Sequence, residues 1–279
     1  MNRLDAYKGF FAKLVTANAG VKDERLVNAF AAVPRERFVG SAPWSAFTPI
    51  GYIDIPSDDP AFLYQDVTVS LVKKESINNG QPTLHARCLG ALNVKEGETI
   101  LHIGAGTGYY TAILSQLTGP KGSVIAYEID ESLAQRAAGN LVDYPNVKIY
   151  HRSGTQGPLP DADIIYVNAG TTSPLDIWLD ALSLGGRLLF PLTGAQGAGG
   201  MLLVTRTDAD RYAAQFLIPV AFIPCVGARD EETAQKLSAA FKRGDFRLVR
   251  TLFRHTPPDD TCWCSGTTWW LSTFLTTGF

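Results

Sequence analysis

The stretch TILHIGAGTGYY, residues 99–110, restricts the fold of this chain more than any other. Thr99, Ile100, Leu101 and Ile103 form a β-branched, apolar run of strand length. Gly104, Gly106 and Gly108 follow at every second position. Glycines so spaced let backbone approach a ligand and turn through dihedrals closed to other residues. A helix over 109–117 then directs its free N–H groups at that ligand. Read alone, Gly-x-Gly-x-Gly also fits an ordinary strand-to-helix turn, so its surroundings must decide.

Gly119-Pro120-Lys121-Gly122 is a turn, and residues 123–127 form a second β-rich run ending at Glu128. In a nucleotide-binding βαβ unit, an acidic residue at that strand tip accepts hydrogen bonds from ribose hydroxyls. A charged acceptor makes the stronger bond; a solvated strand end is the plainer reading of Glu128. A dinucleotide site would place another glycine at position 109, where Tyr109 stands. The expectation therefore turns from NAD to a nucleoside ligand without pyrophosphate, of which S-adenosylmethionine is the commonest. Gly104, Ala105, Gly106, Thr107, Gly108, Glu128 and Ile129 are the candidate cofactor-binding residues of this stretch.

Residues 1–40 read as helical. Leu4, Tyr7, Phe11, Leu14 and Val15 share one face, Leu26, Val27, Phe30 and Val33 the next, and Pro34 ends the second helix. Residues 41–62 set prolines and glycines among Trp44, Phe47 and Tyr52, an irregular segment, and 63–72 alternates enough to include a strand. A polar loop over 76–82 precedes a helix over 83–92, with Leu84, Cys88 and Leu92 inward. Beyond the glycines the spacing predicts a helix over 131–142 and strands over 147–151 and 164–168. A helix opened by Ser173-Pro174 and closed by Gly185-Gly186 follows, then a strand over 187–191. Residues 201–207 and 212–222 read as an antiparallel pair around Asp208-Ala209-Asp210, and 231–242 and 245–254 as helices before an aromatic tail. This describes an α/β fold, a mostly parallel sheet with helices on both faces and antiparallel terminal strands. The division expected is a helical and irregular segment, 1–75, packed on a core, 76–228, with a helical and aromatic extension, 229–279.

Composition matters here for what it excludes. A net charge of −2 gives no electrostatic reason to expect nucleic acid or an anionic membrane as partner. The amphipathic N-terminus does not read as a signal peptide, and no apolar stretch is long enough to span a bilayer. Cys88, Cys225, Cys262 and Cys264, without an export signal, indicate a reduced, cytoplasmic protein. Cys262-Trp263-Cys264 has no second Cys or His pair, so no metal is expected; these residues, with Trp269 and Trp270, read as packing.

Three segments resemble the protein-L-isoaspartate (D-aspartate) O-methyltransferases: AFAAVPRERFVG at 29–40, LYQDVTVSLVKKESINNGQPTLHA at 63–86, and LHIGAGTGYYTAIL with Glu128 and the later GGRLLFPL. The resemblance runs from about residue 20 to 225 and implies a Rossmann-like, S-adenosylmethionine-dependent methyltransferase fold. It adds Ser153, Gly154 and Asn168 to the cofactor-binding set. It also implies that the loop over 76–81 borders the reaction centre, with Ser76, Asn79 and Gly80 as catalytic candidates; beside it, Asp66, Asn78, Gln81 and His85 are read as candidate substrate contacts. Three positions depart from the family. Gly80 stands where the family usually has a serine, His102 where an acidic residue is common, and Ser153 where an acidic residue contacts adenine. These changes leave cofactor binding in place and bear on the choice of acceptor.

The chemistry agrees. A carboxylate nucleophile, with a reference pKa near ~4, is ionised at neutral pH and needs no general base. The protein must hold carboxylate and methyl within about 3–3.5 Å and in line. The loop offers amide and hydroxyl donors for that purpose, although Asn78-Asn79-Gly80 also suits an ordinary turn. His85 fits either a carboxylate contact or a helix histidine bonded to backbone, and Asp66 either a groove residue or a solvated one. The reading is a carboxyl O-methyltransferase acting on an aspartyl or isoaspartyl side chain of a peptide or protein. Alternatives are methylation of a small-molecule oxygen or nitrogen, and a non-catalytic cofactor-binding or adaptor module.

Overall fold

The computed structural model describes residues 2–274. Three helices open the chain, α1 (Arg3–Asn18), α2 (Glu24–Ala32) and α3 (Arg35–Val39). Two small hairpins follow, β1 (Ser45–Thr48) with β2 (Gly51–Asp54) and β3 (Ser70–Val72) with β4 (Ile77–Asn78). The α/β alternation is α4 (Pro82–Leu92), β5 (Thr99–Ile103), α5 (Tyr109–Thr118), β6 (Ser123–Glu128), α6 (Glu131–Asn140), β7 (Val147–His151), β8 (Ala162–Val167) and α7 (Asp176–Ala181). Long strands β9 (Leu182–Thr193), β10 (Ala198–Arg206) and β11 (Arg211–Ala221) come next. The chain then forms α8 (Glu231–Arg243), β12 (Thr251–Arg254), β13 (Cys262–Ser265) and β14 (Trp269–Ser272). Asp23, Asp130 and Asp230 each accept a first-turn N–H at the start of α2, α6 and α8, which fixes where those helices begin.

Contacts divide the chain into two units. The first is Met1–Glu98 with Ala105–Arg152. Its core joins the first two helices to α5 through an aromatic chain: Phe11 meets Phe30 and Tyr64 edge-on, and Tyr109 meets Phe30 and Phe38 at 6.5 and 5.6 Å. The buried face of α1 is narrower than its spacing predicts. Phe11 and Val15 are buried, whereas Tyr7 and Leu14 are exposed. Arg35, fully buried, donates to the carbonyls of Leu63, Gln65 and Val67 and so pins the irregular segment that leads to β3. In this unit β6 and β7 pair in parallel.

The second unit is Thr99–Gly104 with Ser153–Phe279. Here β5, β8 and β9 are parallel neighbours. Antiparallel pairing then runs from β9 through β10, β11, β12 and β14 to β13. Parallel strands alternating with helices, finished by antiparallel strands, are the α/β class expected.

Three local expectations are corrected. Residues 245–254 are not a helix. A single 3-10 turn, Phe246–Leu248, gives way to β12, because Thr251-Leu252-Phe253 finds ladder partners on β11 and β14. Ser173-Pro174 does not cap α7, which starts at Asp176 with no side-chain cap. Gly185-Gly186 does not end it either. The chain is already paired with β8 at Leu182, and the two glycines fall where the register slips before Arg187, the usual use of glycine inside a strand.

Candidate functional site

The glycine turn is held from Glu128. Its carboxylate, 7% exposed, accepts from the Gly106 N–H at 2.7 Å and the Asp130 N–H at 3.0 Å. Burial pushes its pKa above the ordinary carboxylate value, against the pull of these backbone donors. Gly106 and Gly108 take φ of +57° and +94°, the left-handed region where side chains are strained. At Gly108 a Cβ would also lie 2.8 Å from Leu141 Cδ1. Thr107 donates to the Phe38 carbonyl at 2.5 Å, and Asn140 holds the Thr107 carbonyl at 3.0 Å. The turn is thus tied to α3 and α6, with Gly108 as N-cap of α5. Ile129 follows, about half exposed.

In the second unit, β5 is followed by Gly104, φ +73°, beside Asn168. Asn168 N–H donates to the Ile103 carbonyl at 2.9 Å, and its Nδ2 donates to His102 Nε2 at 2.7 Å. His102 is fully buried and stacked on Tyr166; burial pushes its pKa down to about 3, so the ring is neutral and accepts at Nε2. That leaves Asn168 Oδ1 a buried acceptor with no hydrogen-bond partner. Ser153 spends its hydroxyl on Thr155, whose N–H reaches it at 3.1 Å. Gly154 packs where a Cβ would lie 2.8 Å from Ile103 Cγ1 and Cγ2.

The loop before α4 is more tightly built than its composition suggests. Asn79, 8% exposed, pairs with Val69 as a strand residue would. Its N–H donates to the Val69 carbonyl at 3.0 Å, and its Oδ1 accepts from the Val69 N–H at 2.8 Å. Because only Oδ1 can accept from an N–H, the other end of the amide is Nδ2, a buried donor without a partner. Ser76 is exposed, with φ +56°. Its carbonyl accepts from Asn78 Nδ2, while Asn78 Oδ1 accepts from the Gly80 N–H at 3.0 Å.

Asp66 is no solvated residue. It accepts from the Thr83 N–H at 2.8 Å and Gln81 Nε2 at 3.1 Å, and so anchors the first turn of α4. His85 is buried and stacked on Tyr110, ring centroids 3.5 Å apart. Tyr110 and Val69, which hold the loop from two sides, were not marked by the sequence. Tyr110 was hidden in the apolar run of α5, and Val69 acts through backbone alone.

The buried Glu128 carboxylate fits S-adenosylmethionine. Its two oxygens hold about four acceptor sites, more than the backbone donors Gly106, Ile129 and Asp130 fill, which leaves capacity for a ribose hydroxyl. The N-terminus of α5 lies one residue beyond the turn.

The family profile described as protein-L-isoaspartate(D-aspartate) O-methyltransferase matches residues 10–230. A protein-L-isoaspartate O-methyltransferase of Methanothermobacter thermautotrophicus is 30% identical over 211 residues, 74% of this chain and 89% of that protein. One from Rhodopseudomonas palustris is 33% identical over 213 residues, 75% and 78% of the two chains. Among solved structures, a protein-L-isoaspartate O-methyltransferase superposes with a TM-score of 0.66 at 22% identity, over 83% of this chain and 68% of the other. A Plasmodium falciparum structure described as a protein-L-isoaspartate O-methyltransferase bound to S-adenosyl-L-homocysteine gives 0.64 at 19% identity, over 79% and 98%. The structural likenesses speak for the fold and the sequence matches for the lineage: this chain belongs to the protein-L-isoaspartate(D-aspartate) O-methyltransferase family of S-adenosylmethionine-dependent carboxyl methyltransferases.

Proposed function

We propose that this enzyme methylates the side-chain carboxylate of an aspartyl or isoaspartyl residue in a peptide or protein, and that the loop over 76–81 receives that carboxylate. The observation that carries the reading is Asn79 Nδ2, a buried donor without a partner in a loop otherwise bonded to itself and its neighbours. An unmet buried donor costs stability, about 1–3 kcal/mol, unless a ligand meets it. A carboxylate oxygen is the acceptor that the family's chemistry brings.

Bound S-adenosylmethionine supplies an electrophilic methyl on a sulfonium. The chain's own residues do the rest. Glu128 accepts from the ribose, and Gly106 and Gly108 give close backbone approach; in the second unit Gly104, Ser153, Gly154 and Asn168 are the further candidate cofactor residues. Asn79 orients the acceptor carboxylate, with Ser76, Asn78, Gly80 and Gln81 shaping the loop around it and Asp66 holding that loop against α4. No general base is required, since the nucleophile is already ionised.

The reading goes with a cytoplasmic enzyme that needs neither nucleic acid nor membrane. Among the described residues no disulfide joins the four cysteines, as suits a reducing compartment, and no helix is long and apolar enough to cross a membrane. Calorimetry with S-adenosylhomocysteine saturating tests the loop. Otherwise identical peptides carrying isoaspartyl, aspartyl or asparaginyl residues should separate, the acids binding and the amide not. Equal affinity for all three would remove the loop as the carboxylate's seat.

A further inference from the structure

We propose that Leu71 is a cofactor-covering residue. A bulge in β3 aims its side chain at the glycine turn, and the β3–β4 hairpin that carries it lifts to let the cofactor in and out. The inference rests on the cofactor being seated at the turn that Glu128 holds.

The strands β3 and β4 pair Ser70 with Asn78 and Val72 with Ile77. Two steps along β3 thus match one step along β4, and Leu71 is the extra residue. A bulge bends its strand and re-aims the side chain it carries. Here that side chain meets the glycine turn. A Cβ built on Gly106 would lie 3.5 Å from Leu71 Cδ1, an ordinary contact. Leu71 also packs against the buried cluster of Val39, Trp44, Leu63 and Val69. Its carbonyl, left unmatched by the bulge, accepts from Arg136 Nη1 of α6 at 3.4 Å. The same guanidinium reaches the end of α3, where a Cβ built on Gly40 would lie 3.1 Å from Nη2.

The hairpin is held unevenly. At its base the backbone and side chain of Asn79 both bond Val69, and Ala46 bridges to Val69 from β1. Beyond the base every residue of β3 and β4 is half-buried. Ser76, in the turn between them, takes φ +56°, a strained value for a residue with a side chain. Lys73 reaches Asp54 at 3.0 Å and Ser45 at 3.3 Å, an exposed pair of little weight. What keeps the hairpin down is therefore Leu71 on the turn and Arg136 on its carbonyl. Segments with so few buried contacts open at low cost. Each turnover exchanges S-adenosylhomocysteine for S-adenosylmethionine, and a cover on the turn has to lift for that exchange.

Rapid mixing with S-adenosylhomocysteine tests this in the parent, Leu71→Ala, Leu71→Met, Arg136→Met and Glu128→Ala. A lost contact speeds dissociation alone, whereas a lost cover speeds entry and exit together. Leu71→Ala should raise the association and dissociation rate constants alike by about tenfold, which is what half-burial of the removed carbons is worth in a barrier. Affinity should then change far less than either rate. Arg136→Met keeps the aliphatic stem but loses the bond to the Leu71 carbonyl, and should raise both rates too. Leu71→Met keeps an apolar cover and should stay near the parent. Should Leu71→Ala fail to fold, the contrast between Arg136→Met and Leu71→Met makes the same test. Glu128→Ala should speed dissociation only. Rates equal to the parent's in Leu71→Ala and Arg136→Met, or faster dissociation without faster association, overturn the cover and leave the turn as the cofactor's seat. A Glu128→Ala variant that binds like the parent overturns the seat itself.

Discussion

At the scale of single residues, Glu128 and His102 show one environment acting on two chemistries. Burial raises the pKa of the Glu128 carboxyl and lowers that of the His102 imidazole, because each is pushed toward its uncharged form. In the role proposed for it, Glu128 accepts a ribose hydroxyl best when ionised. Glu128→Ala should weaken S-adenosylmethionine binding by roughly 1.5–3 kcal/mol by calorimetry. In the parent that affinity should fall as pH drops through the raised pKa of Glu128, starting at a higher pH than an exposed glutamate would give, and Glu128→Gln should flatten the dependence. For His102 the folded pKa, about 3, lies below the ordinary value of 6.5. Its contribution to stability is therefore fully present above pH 6.5 and is lost as pH falls towards 3, at about 1.4 kcal/mol per unit. His102→Phe keeps a ring against Tyr166 but forfeits the Asn168 bond. It should start less stable at pH 7, and urea midpoints should decline less steeply than the parent's between pH 6 and 4.

At the scale of elements, the segment between α3 and α4 is organised by one buried cation. Arg35 donates to three carbonyls of residues 63–67, and Tyr64 bonds both the Arg35 N–H and Glu36. Arg35→Met should leave those carbonyls buried without donors and cost about 3 kcal/mol or more in urea unfolding; a variant within 0.5 kcal/mol of the parent would show the segment to be held elsewhere, since harmless surface changes fall within about that range. This pin explains which parts of the site were legible in the sequence. The turn from Gly104 to Gly108 and the strand-tip Glu128 follow from local chemistry and spacing, and both are where they were expected. Asp66 and His85 were recognised as notable but not for what they touch. Their partners, Thr83 and Tyr110, lie 17 and 25 positions away, and side-chain stacking and capping across such gaps leave no periodic trace. The tail was misread for the same reason. The spacing of Phe246, Val249 and Phe253 suits a helix, but β12 draws its hydrogen bonds from β11 and β14, and non-local pairing overrides local pattern.

At the scale of the molecule, the family profile ends at residue 230, and the described residues beyond it are built into the second unit. Phe216 of β11 packs edge-on against Phe241, Phe246 and Trp263 at 5.4 to 5.6 Å. β12 continues the ladder from Arg211 to Ala213. Removing residues 229–279 would expose this cluster and open an edge on β11, so the truncated protein should be insoluble or aggregate. A soluble, fully active truncation would show the extension to be an appendage.

Transfer of a labelled methyl group from S-adenosylmethionine to isoaspartyl, aspartyl and asparaginyl peptides, with volatile label released by mild base, tests the carboxyl chemistry most directly. A methyl ester hydrolyses in base, whereas a methyl on nitrogen or on an ether oxygen does not. Base-labile label on one or both acidic peptides, and none on the amide, is the result expected. Base-stable label, or no transfer to either acid by protein that binds S-adenosylmethionine, would contradict it.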